Sequence, residues 1–554
     1  TAGQLLLDGT GSITQSGGAI AVSGDVTVGN TGAFQQSGGT LSASQIAFDG
    51  PSAIAQSGGE LNATVLSATH VGTITQSAGK ITADQLLASS NGSIDLGYQV
   101  FANSVDLQTT AGSIHLTTFS PTTHVVRATA AAGDVSLIHH GSALALGRVA
   151  ASGTAGITSY GSILDDNGSG VANVAAPIIS LTSQGGSAST LAISADVVSP
   201  GGQVTAIVSN ETPPAYGGIH LESLGASGPA SLTLRDQSAT GGDIFFRHQG
   251  NLNLAGYTVA TDHGSAILGA TGDLNLGGGS LSSSGGTAVN TGGTLAVGGT
   301  NSVSGDLTIV AAGPMTVSGT VDCSGSLALS APTVLISGGR AAAAHTARVV
   351  AQNLGVGSGG RLQSASGNVD LQLGGQLAVT TGGQVIAGSN LFLVAPSVQV
   401  DSGQIYAGQS MNVVANDMEI LNGGVVRTGQ GNFSAAIGDH LLLRNGAVLA
   451  AGDDVRLVLA GANARLILND VGGLSPARIE ADEFTQVAAT VYVDFLGRSD
   501  GGILIDGVET ATTVPGSSGF YSAGSPAVDG SGLKIVYGLA RPVGEFLNDL
   551  LNAA

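Results

Sequence analysis

The chain has 554 residues, of which 89 are glycine and only 10% are charged, against about 25% charged residues in typical soluble domains. Its 37 acidic residues outnumber the 16 basic ones, and this balance disfavours nucleic acid and anionic lipid as partners because their phosphate groups are repelled. Because 42% of the residues are apolar, the glycine content indicates many tight turns between short apolar strands rather than disorder.

An internal repeat begins close to the N-terminus. Four phrases of the type Gln-Ser-Gly-Gly stand in register, the last with alanine in place of the first glycine, and their glutamines lie 21, 20 and 20 positions apart. The equivalent glutamines are Gln15, Gln36, Gln56 and Gln76. A second phrase, such as Gly92-Ser-Ile-Asp-Leu96, continues the same period. Within each period apolar residues alternate with small polar ones, which predicts short strands with one buried face.

A repeat of about 20 residues is too short for a pair of helices. Leucine-rich repeats have this length, but their Asn/Cys ladder position is missing here. The sequence therefore predicts an all-β fold, a right-handed parallel β-helix (solenoid) whose coils of about 20 residues stack by parallel pairing. We expect the four glutamines to form a ladder in which each side-chain amide bonds to the next coil. The spacing does not tell whether that ladder points into the core or into solvent.

The regularity of the period, the aromatic residues of the tail and a final helical spacing divide the chain into five regions. We predict regular solenoid over 1–165, solenoid with looped insertions such as Glu211-Thr-Pro-Pro-Ala215 over 166–300, regular solenoid over 301–483, a small C-terminal β module or cap over 484–540, and an amphipathic helix over 541–554. The apolar face of that helix, which we expect to seal the last coil, consists of Val543, Phe546, Leu547, Leu550 and Leu551.

Several motifs have features of sites of chemistry. Gly355-Val-Gly-Ser-Gly-Gly360 has the spacing of a dinucleotide-binding loop, but a strand phrase follows where that function needs a helix. The pair His139-His140 cannot easily chelate one metal ion, because adjacent strand residues point to opposite faces. His115 and His220 fall in strand phrases and are expected on the surface. The single cysteine, Cys323, provides neither a disulfide nor a thiolate metal site.

Carboxylate pairs are the remaining candidates for catalysis. Solenoid lyases and hydrolases of polysaccharides need clustered carboxylates on one face, and the best pairs here are Asp165-Asp166 and Asp453-Asp454. Both pairs fall at predicted turns, where carboxylates are usually solvated. We therefore expect no catalytic residue, no cofactor and no dedicated metal site, with weak calcium binding by scattered turn aspartates as an open alternative.

Phrases in the second half of the chain carry a family resemblance. Gly359-Gly-Arg-Leu-Gln-Ser-Ala365 with Asn368-Val-Asp-Leu371, and later the tail phrases Val491-Tyr-Val-Asp-Phe495 and Gly501-Gly-Ile-Leu-Ile-Asp-Gly507, resemble filamentous haemagglutinin-like proteins exported by two-partner secretion. The resemblance implies a bacterial protein that is secreted or held at the cell surface, with an outer-membrane secretion partner. The family's N-terminal secretion motif of the type Asn-Pro-Asn-Leu does not occur in this sequence.

The leading functional hypothesis is an extracellular structural or adhesive rod of adhesin type, which would bind glycans or proteins of host or bacterial surfaces. One alternative is a subunit that polymerises head to tail, because the first coil begins within ten residues of Thr1 and exposes a strand edge; a removed upstream segment is the competing explanation. The other alternative is a β-helix enzyme that degrades polysaccharide. The sequence has no run of 18 apolar residues that predicts a transmembrane helix.

Overall fold

The structure is a computed structural model that describes residues 3–185, 191–209, 217–238, 242–459, 465–469, 477–480, 483–488, 491–494, 502–511, 518–521 and 534–537. The predicted insertion at 211–215 and the predicted terminal helix, with Val543, Phe546, Leu547, Leu550 and Leu551, lie outside these residues. The described residues contain strands and no helix. They belong to two compact units, one formed by 1–274 with 280–286 and the other by 275–279 with 287–554.

The first unit consists of short strands joined by tight turns. Its strands are β1 Gln4–Gly9, β2 Ile13–Ala21, β3 Asp25–Asn30, β4 Ala33–Asp49, β5 Ala53–Val71, β6 Thr73–Ser90, β7 Ile94–Thr109, β8 Ile114–Thr118, β9 Thr122–Ala130, β10 Val135–His139, β11 Ala143–Ala151, β12 Thr154–Ser159, β13 Ser162–Asp165, β14 Val174–Ala175, β15 Ile178–Ser183, β16 Ile193–Val198, β17 Gln203–Val208, β18 Ile219–Ser223, β19 Ser231–Asp236, β20 Ile244–His248, β21 Leu252–Leu254, β22 Gly256–Thr261 and β23 Ala266–Ala270. Along the chain, β24 Leu274–Leu276 and β25 Gly279–Ser283 follow.

The second unit repeats the same construction. Its strands are β26 Thr287–Thr291, β27 Leu295–Val297, β28 Thr300–Ser304, β29 Leu307–Ala311, β30 Met315–Val317, β31 Thr320–Cys323, β32 Leu327–Ser337, β33 Arg340–Ala343, β34 Ala347–Gly357, β35 Arg361–Ser364, β36 Val369–Leu373, β37 Gln376–Thr380, β38 Gln384–Ala387, β39 Leu391–Val394, β40 Ser397–Asp401, β41 Gln404–Ala407, β42 Met411–Leu421, β43 Val425–Thr428, β44 Phe433–Arg444, β45 Val448–Ala450, β46 Val455–Leu459, β47 Arg465–Asn469, β48 Arg478–Glu480, β49 Glu483–Ala488, β50 Val491–Asp494, β51 Gly502–Ala511, β52 Ser518–Tyr521 and β53 Lys534–Tyr537.

Parallel pairing between successive coils confirms the predicted β-solenoid. Ile54 of β5 lies opposite Ile74 of β6, 20 positions later, and Val369 of β36 lies opposite Leu391 of β39, 22 positions later. The coil therefore averages about 21 residues. The pair β50–β52, within the predicted C-terminal module, is antiparallel.

Alternation along each strand places one set of side chains in the core. In β3 the apolar Val26 and Val28 are buried while their polar neighbours are partly exposed. Parallel register then stacks equivalent residues, so that Val26 lies under Ile46 and Ile46 under Leu66. Each buried aliphatic side chain contributes roughly 1.5–3 kcal/mol, and the repetition of this column in every coil is what holds the coils together.

The turn of the Gln-Ser-Gly-Gly phrase depends on glycine. Gly39, Gly59 and Gly79 adopt φ values of +78°, +74° and +88°, a left-handed conformation that strains residues with a side chain. They also lie so close to the coil below that a methyl group on Gly59 would meet the carbonyl oxygen of Gly39 at 2.5 Å. Both the conformation and the stacking distance therefore select glycine at this position.

Candidate functional site

The four repeat glutamines point into the core. Gln15, Gln36, Gln56 and Gln76 are 7%, 0%, 3% and 3% exposed. Gln36 Nε2 donates to Gln15 Oε1 at 3.0 Å, and Gln56 Nε2 donates to Gln36 Oε1 at 2.9 Å. The direct ladder thus joins three coils, and Gln76 continues the same column one coil further.

Each glutamine also donates to a backbone carbonyl of the following coil. For Gln36 the acceptor is Glu60 O at 3.0 Å, and for Gln56 it is Lys80 O at 3.2 Å. The Oε1 atoms of Gln56 and Gln76 are buried and accept no hydrogen bond from any described residue. Because none of these amides reaches the surface, the ladder stabilises coil stacking and does not present a ligand site.

The histidine pair divides between the two faces of its strand, as alternation predicts. His139 is fully buried, its Nδ1 lies 2.8 Å from Thr118 Oγ1, and burial lowers its pKa to about 4. His140 is exposed. Both His115 and His220 lie on the outer side of their strands and are partly exposed, the former 3.4 Å from Asp95.

The first carboxylate pair organises a turn. Asp165 Oδ1 accepts hydrogen bonds from the backbone N–H of Asn167 at 2.9 Å and of Gly168 at 3.1 Å, and from Asn173 Nδ2 at 2.8 Å. Asp166 Oδ2 lies 3.0 Å from Nδ1 of His124. Three donors of the same loop therefore engage Asp165.

A neighbouring carboxylate, Asp196, was not singled out from the sequence. It is 5% exposed, accepts the Gly170 N–H at 2.6 Å, and burial raises its pKa. A raised carboxyl pKa suits a general acid, but burial closes Asp196 to a polymeric substrate. The signal in the sequence was a single aspartate inside the apolar phrase Ile193–Val198.

Two candidates of the second unit also have local roles. Asp454 Oδ2 lies 3.2 Å from Arg456 Nη2, and Asp453 is exposed beside it. The glycine-rich phrase at 355–360 ends β34 and leads into β35 at Arg361. A strand in place of a helix removes the N-terminal dipole that binds pyrophosphate, so this phrase is not a dinucleotide-binding loop.

A continuous column of outward-facing residues crosses eight coils of the first unit. We call it the surface stripe. It is formed by Ala21, Ser42, Asn62, Thr82, Phe101, Phe119, His140 and Tyr160, each next to its counterpart on the adjacent coil. At roughly 4.8 Å between coils, the seven steps extend over about 34 Å.

The first half of the stripe is a groove. Its volume is about 500 Å³, and its floor contains the small side chains of Ala43, Ala63 and Ala83. Hydroxyl, amide and carboxylate groups stand on either side of this floor. Those groups belong to Ser23, Ser42, Asn62, Thr64, Thr82 and Asp84. Ala43, Ala63 and Ala83 occupy equivalent positions on successive coils, and Ala63 and Ala83 are buried.

The second half of the stripe is an aromatic stack. The ring centroids of Phe101 and Phe119 are 5.8 Å apart, those of Phe119 and His140 are 4.5 Å apart, and those of His140 and Tyr160 are 4.4 Å apart. The ammonium group of Lys80 lies 4.9 Å from the centroid of Phe101, a cation–π contact. Such an exposed stack stands out in a chain with only 4% aromatic residues.

Side chains of these types bind polyhydroxylated ligands. Hydroxyl and amide groups both donate and accept hydrogen bonds, which matches the hydroxyl groups of a sugar chain. Aromatic rings provide apolar surface for the C–H faces of sugar rings. Single-stranded nucleic acid also stacks on aromatic rings but requires a positively charged groove, whereas this groove contains Asp84 and no lysine or arginine among its lining residues.

Comparisons with known proteins give no relative. No family model, no curated protein and no solved structure matches the chain. The resemblance to filamentous haemagglutinin-like proteins therefore stays a prediction, together with the secretion route that it implies. Among the described residues there is no helix long and apolar enough to cross a membrane.

Proposed function

We propose that the protein is an extracellular structural and adhesive rod that binds polysaccharide along the surface stripe. The observation that carries the proposal is the continuity of the stripe, in which a polar groove leads into stacked aromatic rings on successive coils. The parallel solenoid is compatible with this function, because regular stacking repeats the same outward position at intervals of about 4.8 Å. An extended polymer can therefore contact several coils at once.

The negative charge of the chain favours neutral polysaccharides over acidic ones. With a formal net charge of −21, a polyanion would be repelled at low ionic strength. Contacts repeated along one polymer add up in the same way as linked binding sites, so modest affinity at each coil suffices for firm attachment. This is the binding mode that an adhesive rod needs.

A pair of tyrosines provides the test. Tyr160 ends the described aromatic stack and is 47% exposed, while Tyr98 is 45% exposed and lies outside the stripe. Loss of an aromatic contact worth about 1 kcal/mol weakens binding roughly fivefold. Tyr160→Ala is therefore expected to weaken binding of the full chain to immobilised neutral polysaccharides about fivefold, and Tyr98→Ala is expected to leave it unchanged.

The groove is tested with a second pair of variants. Asn62 stands beside the groove floor, and Gln85 is an exposed residue of another outward column. Asn62→Tyr should occupy the groove and reduce binding, whereas Gln85→Tyr adds the same ring elsewhere. Absence of binding to every polysaccharide tested, or equal effects of the paired substitutions, would overturn the proposal.

A further inference from the structure

A cluster of titratable side chains in the second unit lies where β42 and β44 pair across adjacent coils. The register shifts by one position between Ala415 and Asp417, so the coil that carries His440 contains one additional residue. Such a β-bulge bends the strand and changes the direction of the side chains beside it. Here it brings Asp439 to the same side as Asp417 and His440.

The three side chains converge on a small volume. His440 Nδ1 lies 3.0 Å from Asp417 Oδ1 and 3.4 Å from Asp439 Oδ2, and one potential ligand atom from each residue lies within 4.8 Å of the others. With metal–ligand bonds of about 2.0–2.2 Å, two ligands of one tetrahedral Zn²⁺ stand roughly 3.4 Å apart. The distances from the ring nitrogen are close to that separation.

The closest contact is not a hydrogen bond. Asp417 Oδ1 is buried and accepts no hydrogen bond from any described residue, although the ring nitrogen of His440 is only 3.0 Å away. A nitrogen and an oxygen held this close without donor–acceptor alignment have the arrangement of two ligands that share one cation. The same Nδ1 is in hydrogen-bonding geometry with Asp439 Oδ2 at 3.4 Å, which is the contact that the ring makes without a metal ion.

Glu419 contacts the other ring nitrogen of His440. Its Oε1 lies 3.5 Å from Nε2 of His440, in hydrogen-bonding geometry. A neutral imidazole carries one N–H, and in the tautomer that donates from Nε2 to Glu419 the Nδ1 lone pair faces Asp417 and Asp439. Metal-binding histidines commonly donate their other ring N–H to a carboxylate, which fixes the tautomer and the ring orientation.

The electrostatic balance of the cluster also favours a cation. Three carboxylates, Asp417, Glu419 and Asp439, surround one imidazole. Among the side chains that the structure describes, no lysine or arginine forms an ion pair with any of them; the backbone of Arg465 lies opposite His440 on the next coil. A divalent cation would neutralise this charge and join two coils across the bulge.

We propose that Asp417, Asp439 and His440 bind a divalent transition-metal cation of the Zn²⁺ class, with Glu419 as the residue that orients the imidazole. One nitrogen and two carboxylate oxygens form a donor set that suits Zn²⁺ better than Ca²⁺, which prefers oxygen ligands alone. The cation would connect β42 to β44 and stabilise this part of the second unit. The site lies outside the surface stripe and does not depend on polysaccharide binding.

Calorimetric titration of the full chain, after dialysis against a chelator, tests the site with ZnCl₂ and CaCl₂ in separate experiments. We expect one equivalent of Zn²⁺ to bind and Ca²⁺ to bind far more weakly. His440→Ala and Asp439→Asn should abolish stoichiometric Zn²⁺ binding, and Glu419→Gln should weaken it about 10- to 100-fold. Asp439 is 68% exposed at its side chain, so its substitution leaves the fold intact even if His440→Ala does not.

His124 provides the matched control, because it contacts a single carboxylate, Asp166, at 3.0 Å. His124→Ala is expected to leave Zn²⁺ binding unchanged. Co²⁺ binding followed by its visible absorption spectrum gives a second readout of nitrogen and oxygen coordination. The proposal is wrong if no stoichiometric Zn²⁺ binding occurs, if Ca²⁺ binds equally well, or if His440→Ala retains wild-type affinity; the cluster would then be an ordinary imidazolium ion pair.

Discussion

Two glycines with the same backbone conformation separate the effect of strain from the effect of coil stacking. Gly18 and Gly59 are the last residues of two Gln-Ser-Gly-Gly phrases and adopt φ values of +72° and +74°. A methyl group on Gly18 would have nothing within 4 Å, whereas one on Gly59 would meet Gly39 O at 2.5 Å and Gly38 C at 2.8 Å. Alanine at Gly59 therefore adds a clash with the coil below to the conformational strain.

The expected magnitudes follow from these two contributions. A left-handed conformation costs a residue with a side chain roughly 1–2 kcal/mol, so Gly18→Ala should destabilise its coil by about that amount. Overpacking costs about 1–3 kcal/mol more, so Gly59→Ala should cost roughly 2–5 kcal/mol. The difference between the two substitutions isolates the contribution of stacking, since the strain is common to both.

Hydrogen exchange followed by mass spectrometry measures these losses locally, which matters because coils of a solenoid need not unfold together. We expect protection in the peptide around Gly59 to fall about 5- to 150-fold further than protection around Gly18, since about 1.4 kcal/mol corresponds to a factor of ten. Equal losses at the two positions would refute the close stacking of this turn.

Two further predictions concern buried polar groups. Gln36→Leu should destabilise the first coils by about 2–4 kcal/mol, because Gln15 Oε1 loses its donor. The double variant with Gln15→Leu should lose less stability than the sum of the two single variants. Additive losses in hydrogen-exchange measurements would contradict the ladder. Burial lowers the pKa of folded His139 to about 4, below its ordinary value of about 6.5. The neutral buried ring therefore gives its full contribution to the free energy of unfolding above pH 6.5. Roughly 3 kcal/mol of that free energy is lost as pH falls from 6.5 towards 4. His139→Gln should reduce the slope of stability against pH in that range, whereas a slope that is unchanged, or one reduced equally by His140→Gln, would contradict the assignment.

The fold was predictable because the solenoid is a local, repeated structure. The spacing of Gln15, Gln36, Gln56 and Gln76 defines the coil length, and alternation defines which side chains are buried. Whether the glutamines face inward depends on the position of the turn relative to the core, and the repeat alone did not establish it. The structure resolves this point through hydrogen bonds between amides that are almost completely buried.

The surface stripe could not be found from the repeat. Phe101, Phe119, His140 and Tyr160 are 18, 21 and 20 positions apart, and only the register of the strands shows that they stack. The first of these intervals is shorter than a coil, because the register between β7 and β8 shifts after Leu96. The sequence feature that indicates the stripe is the presence of three aromatic residues and a histidine at the outward position of successive coils.

The proposed cation site was hidden for a related reason. Asp417 and His440 are 23 positions apart, a spacing that matches no short metal-binding motif, and Asp439 joins them only because of the β-bulge. A bulge inserts one residue without a sequence signature of its own. Ligands that meet across coils are therefore visible only when the register is known.

The dependence of affinity on oligosaccharide length tests polysaccharide binding along the surface stripe most directly. Calorimetry of the full chain with a size series of one neutral polysaccharide should show affinity that rises with length up to about 34 Å, the extent of eight stacked coils, and then levels off. Tyr160→Ala should reduce the affinity of the long oligosaccharides and leave the shortest ones unaffected. Equal affinity for short and long chains, or no loss in that variant, would contradict binding along the stripe.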